Sequence, residues 1–316
     1  MKTSPVTPAD LASSVIAVPP LARRSDLSLS PEANQAIVRH LESGGVRSVL
    51  YGGNANFYHV SGGEYPAVLD MLIAAAGVDT WIIPSVGPDY GKMMDQAPIL
   101  RARGFPTAMV LPITFPATDA GVSTGLCRFA AAFGKPVVVY LKAENYLTPA
   151  TVGALARDGL VSAIKYAIVH ANPHEDRYLR ELLQQVPANL IVSGIGERPA
   201  IVHLRDFGLQ GFTSGSVCIG PRGSMRLLEL IQAGEWAEAE RIRAAYLPLE
   251  DCRDALSPIR VLHEAVTLAQ IANTGPILPL LSNLETTHHP AVRAAATTLL
   301  AHDRALADAV GSRSRT

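Results

Sequence analysis

Residues 136–167 read PVVVYLKAENYLTPATVGALARDGLVSAIKYA, and this stretch carries one complete strand–helix–strand pattern. Two apolar runs rich in β-branched residues, VVVYL and VSAIKYA, flank a segment that begins with Thr148-Pro149 and closes on Gly159. A threonine before a proline is a helix start signal, and a glycine after the last apolar residue is a stop signal. Because the runs are apolar on successive residues, they are typical of parallel strands buried on both faces. The stretch therefore predicts a β-α-β unit.

Runs of this kind recur along the chain, about 25 to 33 residues apart, which is the spacing of strand–helix units. Eight are present, at residues 13–18, 47–52, 80–85, 107–112, 136–141, 162–167, 189–194 and 211–216. Eight alternating units predict an α/β fold, a (β/α)8 TIM barrel. The main alternative, a doubly wound open sheet, favours a glycine-rich phosphate turn after its first strand, and AVPPLARR at 17–24 is no such turn.

The pattern also divides the chain. Residues 12–232 are predicted to form the barrel, and residues 233–306 are predicted to form three further helices. We expect these helices to pack on the barrel as a C-terminal extension instead of folding as an independent domain. Residues 307–316, which end in GSRSRT, are expected to be a frayed tail.

Composition limits the classes of partner. Of 316 residues, 48% are hydrophobic and 17% charged, and the formal net charge is −1. Without a basic stripe, neither nucleic acid nor a membrane surface is the expected partner. The three cysteines (Cys127, Cys218 and Cys252) are far apart and match no metal or disulfide framework, which favours buried thiols in a reducing compartment. The N-terminal apolar stretch is short and broken by Pro19-Pro20, so we expect a soluble, cytoplasmic protein.

Two residues in the opening stretch carry possible chemistry. Lys165 lies within the otherwise apolar sixth strand, and Tyr140 ends the fifth. A lone lysine in an apolar run often extends along the surface to reach water. The carboxyl ends of barrel strands, however, form the active face, where a desolvated amine can attack a carbonyl to form an imine. A tyrosine on the neighbouring strand can relay protons to that imine. Taken alone, Tyr140 is better explained by core packing with its hydroxyl hydrogen-bonded.

The ordered set of these motifs resembles the dihydrodipicolinate synthase and N-acetylneuraminate lyase family of Schiff-base aldolases. VVVYL and AIKYA on strands five and six, SGIGE after strand seven and GFTSGS on strand eight carry the resemblance over residues 12 to 300. It implies a covalent imine between Lys165 and a 2-oxo acid, usually pyruvate, with Tyr140 relaying protons and with no separate cofactor or metal. It also implies a homodimer or homotetramer, with contacts through PITFPATDAG at 112–121.

The loop after strand two contains the first departure from the family. Family members carry Gly-Thr-Thr-Gly-Glu, which holds the carboxylate of the 2-oxo acid, whereas Gly52 to Asn56 read GGNAN here. The backbone N–H groups of Gly53 and Asn54, with the Asn54 amide, can still bind a carboxylate. The simpler alternative is a turn that only starts the next helix. The resemblance also implies that Gly194 and Ser214 line the substrate site.

Two further departures concern the second substrate. Thr114 stands where synthases of the lysine pathway carry a second tyrosine, lent to a neighbouring subunit, and Asn145 stands where they carry an arginine. We therefore expect a Schiff-base aldolase or dehydratase that is not a lysine-pathway synthase. Thr114 remains a candidate substrate contact. Four loop residues can select another partner molecule, although each is also explained as solvated: Lys142, Glu144, His170 and Glu197.

Three alternatives remain open. Synthase activity can persist with altered site residues. A metal-dependent aldolase shares this fold, but it needs converging histidines and carboxylates, and His288-His289 is explained more simply as a surface turn. The barrel can also be a non-catalytic binder of small acids. The presence of both Lys165 and Tyr140 argues against the last alternative, because a pocket that only binds has no need for a desolvated amine.

Overall fold

The computed structural model describes residues 1–313, and it describes side chains through residue 307. Eight parallel strands close into a barrel in the order β1 to β8, with β1 paired to β8. The eight strands are β1 (Ile16–Ala17), β2 (Ser48–Tyr51), β3 (Trp81–Val86), β4 (Met109–Val110), β5 (Val137–Leu141), β6 (Val161–Tyr166), β7 (Ile191–Ser193) and β8 (Gly211–Ser214). The predicted (β/α)8 barrel is confirmed.

Helices cover the outside of the barrel. In chain order they are α1 (Pro8–Ser13), α2 (Pro31–Ser43), α3 (Tyr65–Ala75), α4 (Tyr90–Ala102), α5 (Asp119–Phe133), α6 (Pro149–Arg157), α7 (Arg177–Leu183), α8 (Ala200–Phe207) and α9 (Pro221–Gln232). Thr148 caps α6 by accepting a hydrogen bond from the Thr151 N–H, as the sequence predicts. Ser30 precedes α2 but makes no such cap, because its hydroxyl donates to Glu32.

The C-terminal extension differs from the predicted three helices. It contains four, namely α10 (Trp236–Ala244), α11 (Leu247–Ala255), α12 (Pro258–Leu268) and α13 (His289–Arg313). The first predicted helix is divided because Pro248 has no N–H to continue α10 and instead occupies the first turn of α11. The extension packs on the barrel unit through α9, which contacts both α10 and α13.

The ends of the predicted segments also shift. α1 precedes the predicted barrel start at residue 12 and packs against β6 and β8. α13 continues to Arg313, well past the predicted start of the tail at 307, and residues 314–316 lie outside the described part of the chain. Across residues 1–313, no helix is long and apolar enough to cross a bilayer.

The barrel interior explains the apolar strands. Every residue of β2, β3 and β6 is buried, which is the pattern of strands covered by helices on one face and by the barrel core on the other. Residues that pair across neighbouring strands point the same way, so the pairs Val138–Ala163 and Tyr140–Lys165 form successive layers of the interior. The lysine layer lies at the carboxyl end, where barrel enzymes bind their substrates.

Candidate active site

Lys165 and Tyr140 meet inside the barrel. They are direct partners in the register between β5 and β6, each one residue before the carboxyl end of its strand. The Lys165 Nζ lies 4.7 Å from the centroid of the Tyr140 ring. Within the described residues, neither the amine nor the phenol makes a hydrogen bond to a protein group. The amine therefore lies over the tyrosine ring, and both the amine and the phenol are free to bond to a ligand.

The Lys165 side chain does not extend to water, since the residue is only 5% exposed. Burial lowers its pKa to about 7, and the positive charges of Lys142 and Arg253 lower it further. At neutral pH a large fraction of this amine is uncharged, and only the uncharged amine has a lone pair for attack on a carbonyl. Burial also raises the pKa of Tyr140, so its phenol stays protonated and can donate.

The loop after β2 is a turn with several N–H groups that are free to donate hydrogen bonds. Asn56 adopts a left-handed conformation (φ 54°) and its amide donates to the Leu278 carbonyl, so this residue shapes the loop. The N–H groups of Gly53 and Asn54 have no acceptor among the described residues, and the space above Gly53 is open. The Asn54 Nδ2 donates one hydrogen bond, of 2.8 Å, to the Val18 carbonyl and keeps its second hydrogen. These donors are consistent with an anion-binding role.

Sequence reasoning did not predict a positively charged residue, Arg253, at the carboxyl end of the barrel. Arg253, on α11, is buried and reaches over the end of β8. A Cβ on Gly215 would lie 2.8 Å from the Arg253 Nη2 and 2.9 Å from the Asn54 Nδ2. The glycine therefore leaves room for the guanidinium beside the β2 loop. Nothing in the local pattern LEDCRDAL points to this position, because it depends on how the C-terminal helices pack.

A buried hydroxyl was missed as well. Ser85, near the end of β3, has an Oγ with no hydrogen-bond partner in the described chain. The Oγ lies 3.2 Å from the position of a Cβ on Gly52, the first residue of the β2 loop. A buried, unpaired hydroxyl at the active end of the barrel is an additional donor or acceptor for a ligand.

Ser214 makes hydrogen bonds that hold the fold together. Its hydroxyl donates to Glu197 over 2.8 Å and accepts from the Val217 N–H over 3.0 Å, and its carbonyl accepts from the Val18 N–H. Because the hydroxyl hydrogen is already donated to Glu197, a substrate contact through Ser214 could use it only by breaking that bond, and the contact stays a prediction. Ser214 points outward, towards α9, in the alternation along β8.

Glu197 is also not the solvated loop residue that its sequence position suggests. It is fully buried and accepts hydrogen bonds from Ser214 and Ser224. Burial, assisted by the nearby negative charge of Glu250, raises the pKa of Glu197 to about 7. This carboxyl supports the end of β8 from behind, through its hydrogen bonds with Ser214 and Ser224.

Gly194 permits a close approach between β7 and β6. Its N–H donates to the Tyr166 carbonyl over 2.6 Å, and a Cβ would lie 2.7 Å from that same oxygen. Any other residue would push the ends of the two strands apart, immediately after Lys165. A role for Gly194 in substrate binding remains a prediction.

The remaining loop candidates spread over the active face. Thr114, Lys142, Glu144 and Asn145 are exposed. His170 is partly buried, with Nε2 lying 3.3 Å from an Asp176 oxygen and 3.9 Å from a Glu144 oxygen. Within the described residues no group of three His, Cys, Asp or Glu side chains is placed to hold a metal ion. Of the three cysteines, Cys218 is buried and the other two are partly exposed.

The fold and the site together are those of a known protein family. The fold and site define a barrel with a buried, unpaired lysine at the carboxyl end of β6. The family model described as the dihydrodipicolinate synthetase family matches residues 14–299, and the chain belongs to this family. No curated protein matches the sequence significantly.

Solved structures share the fold. Dihydrodipicolinate synthase from Bacillus clausii is 21% identical with a TM-score of 0.80, over 93% of this chain and 98% of that chain. The corresponding protein from Agrobacterium tumefaciens is 18% identical with a TM-score of 0.82, over 92% and 99%. Sialic acid aldolase from Ruminococcus gnavus is 18% identical with a TM-score of 0.79, over 91% and 97%. At these identities the likeness establishes the fold alone.

Proposed function

We propose that this protein is a Schiff-base lyase, an aldolase or dehydratase acting on pyruvate or a related 2-oxo acid. The observation that carries the proposal is the buried, unpaired Lys165 amine beside the Tyr140 phenol. Membership in the dihydrodipicolinate synthetase family supports it. A chain that only bound small acids would be better served by a fully charged cation than by an amine whose pKa is lowered to about 7.

The chemistry follows from the two groups. The uncharged Lys165 amine attacks the carbonyl carbon of the 2-oxo acid, and the carbonyl oxygen takes up a proton. The tetrahedral adduct then loses water, and a protonated imine remains. In this scheme Tyr140 passes protons to and from the oxygen as it becomes a leaving group. The imine draws electrons from the neighbouring carbon, so that a bond there can form or break, or a hydroxyl can leave.

The direct test is reductive trapping. The protein is incubated with pyruvate and with a panel of 2-oxo sugar acids in cyanoborohydride, and the mass of each tryptic peptide is measured. We expect the peptide that carries Lys165 to gain the mass of the reduced ligand. If no 2-oxo acid of the panel adds to Lys165, the proposal fails. Screening the acids that do add for release of pyruvate or loss of water separates aldolase from dehydratase activity.

The rate of adduct formation should depend on pH in a characteristic way. Since the pKa of Lys165 is lowered to about 7, the reactive uncharged amine is scarce at pH 5.5 and predominates above pH 8. The initial trapping rate at fixed pyruvate should rise about tenfold per pH unit below pH 7 and level off near pH 8. The measurement is a series of initial rates from pH 5.5 to 10. A rate that keeps rising to pH 10 would mean an ordinary lysine pKa and would contradict the assignment.

We also propose that the chain forms a homodimer or homotetramer through the face around the β4–α5 loop. A groove of about 810 Å³ lies there, lined by residues of α4, α5 and this loop. Phe115 at its rim is 85% exposed and Tyr90 is 47% exposed, an apolar surface that fits a protein contact better than water.

We expect a dimer or tetramer at micromolar concentration and a shift toward monomer on Phe115→Glu, because the substitution would bury a charge in the contact. Light scattering after size exclusion measures both masses. Leu280→Glu is the matched control, since Leu280 is equally exposed on a loop elsewhere. A monomeric mass for the unaltered chain, or the same shift in both variants, would contradict this interface.

A further inference from the structure

Arg253 is held in one orientation at the active mouth. Its Nη1 contacts the Glu250 Oε1 over 2.7 Å, and its Nε donates to the Pro258 carbonyl over 3.4 Å. The hydroxyl of Ser216 donates to the same Glu250 oxygen. Because the guanidinium is planar and cannot lose its charge in this setting, these contacts fix where its remaining donors point.

The Nη2 of Arg253 is left without an acceptor among the described residues. It approaches Gly215, the residue directly after β8, from the same side as the Asn54 Nδ2. Both nitrogens lie within 2.9 Å of one point, the position of a Cβ on that glycine. They are therefore close enough for the two oxygens of a single carboxylate to bridge them, since charge-assisted bonds are about 2.8 Å long.

The position is also near Lys165. The charge of Arg253 acts on Lys165, and the β2 loop that carries Asn54 also presents the free N–H groups of Gly53 and Asn54. A fixed cation and a side-chain amide thus meet beside Gly215, next to a loop whose backbone N–H groups have no acceptor among the described residues. This donor set matches a carboxylate.

We propose that Arg253 and Asn54 form the binding site for the carboxylate of the 2-oxo acid. The inference rests on the proposed function, since it assigns the acid group of the same substrate. Where the β2 loop lacks hydroxyl residues, a guanidinium from the C-terminal extension provides the contact. The extension is thereby part of the active site, and Arg253 is a specificity residue that selects acids over neutral carbonyl compounds.

The test compares an acid with its neutral amide. The ligand concentration that gives half-maximal adduct formation is measured for pyruvate and for pyruvamide. Both the unaltered protein and Arg253→Met are used. Binding of the unreactive pair, lactate and lactamide, is measured by calorimetry, because it does not require an imine. Loss of one charge-assisted bond should weaken pyruvate and lactate about tenfold or more. Pyruvamide and lactamide should change little, so preference for the acid should fall.

Three further variants separate recognition from folding. Arg253→Met leaves the buried Glu250 carboxylate without its positive partner. The double variant Arg253→Met with Glu250→Gln removes both charges together. Its glutamine oxygen can still accept the hydrogen bond from the Ser216 hydroxyl. Arg253→Lys keeps a charge at the site and should restore part of the preference for the acid. Arg241→Met is the matched control, because Arg241 is an exposed arginine on α10 paired with Glu238.

The outcomes are distinct. If acid and amide weaken equally, or if neither weakens in the double variant, the carboxylate site is overturned while trapping on Lys165 still supports the lyase. If no 2-oxo acid adds to Lys165 but lactate binding depends on Arg253, the anion site stands and the lyase proposal fails. If lactate does not bind and pyruvate half-saturation does not depend on Arg253, the anion site fails.

Discussion

Replacing Lys165 with methionine should abolish reductive trapping and lower turnover of any accepted 2-oxo acid by about 10³-fold or more. Methionine is close to lysine in length and has no amine, so it removes the nucleophile while filling the same buried space. The measurement is peptide mass after cyanoborohydride treatment, together with pyruvate release from the acids that the unaltered protein cleaves. Retention of the adduct would show that another amine carries the chemistry.

Tyr140→Phe is the matched comparison, because it removes only the hydroxyl. The neutral Lys165 amine remains, so the adduct should still form, but more slowly. Turnover should fall by about a hundredfold, the usual contribution of a positioned general acid–base group. If Tyr140→Phe turns over at the unaltered rate, the phenol does not relay protons and has only a packing role.

Sequence reasoning predicted the barrel because its signal is repeated eight times and is local. Each strand is a short apolar run between turn residues, and burial on both faces makes every run apolar on successive positions. The C-terminal helices were harder to divide, since GEWAEAERIRAAYLPLEDCRDAL reads as one amphipathic segment until Pro248 is given its role as a helix start. Boundaries depend on such single positions, whereas fold class depends on the whole pattern.

The candidate site was predictable only where a residue broke the pattern of its own strand. Lys165 and Tyr140 are polar groups in apolar strands, and the register that pairs them follows from the barrel. Arg253 gives no local signal, since a helix with one more arginine is ordinary. Its burial depends on how α11 packs against α12 and α13 and brings the side chain beside Gly215. Ser214 is the opposite case, since its sequence position suggests a substrate contact. Its hydroxyl points away from the barrel interior and bonds to Glu197.

The second large effect concerns condensation of pyruvate with aspartate semialdehyde, which we expect to be absent or very slow in this protein. Lysine-pathway synthases place a second tyrosine and an arginine where this chain has Thr114 and Asn145, and both of these residues are exposed on loops of the active face. Condensation needs the second substrate's carboxylate held in near-attack geometry, for which an arginine provides a charged, bidentate contact. Neither replacement offers a charge for that purpose.

The expected deficit combines two losses. One missing charge-assisted hydrogen bond of about 1.5 to 3 kcal/mol lowers binding tenfold or more. An interrupted proton relay adds about a hundredfold. Imine formation on Lys165 needs neither residue, so pyruvate should add to the protein while the second step stalls. A coupled synthase–reductase assay with both substrates measures this, with a dihydrodipicolinate synthase run in parallel as the control. Turnover near about 10 per second, the median for enzymes, would contradict the expectation. It would mean that other groups at the active end of the barrel replace the missing contacts.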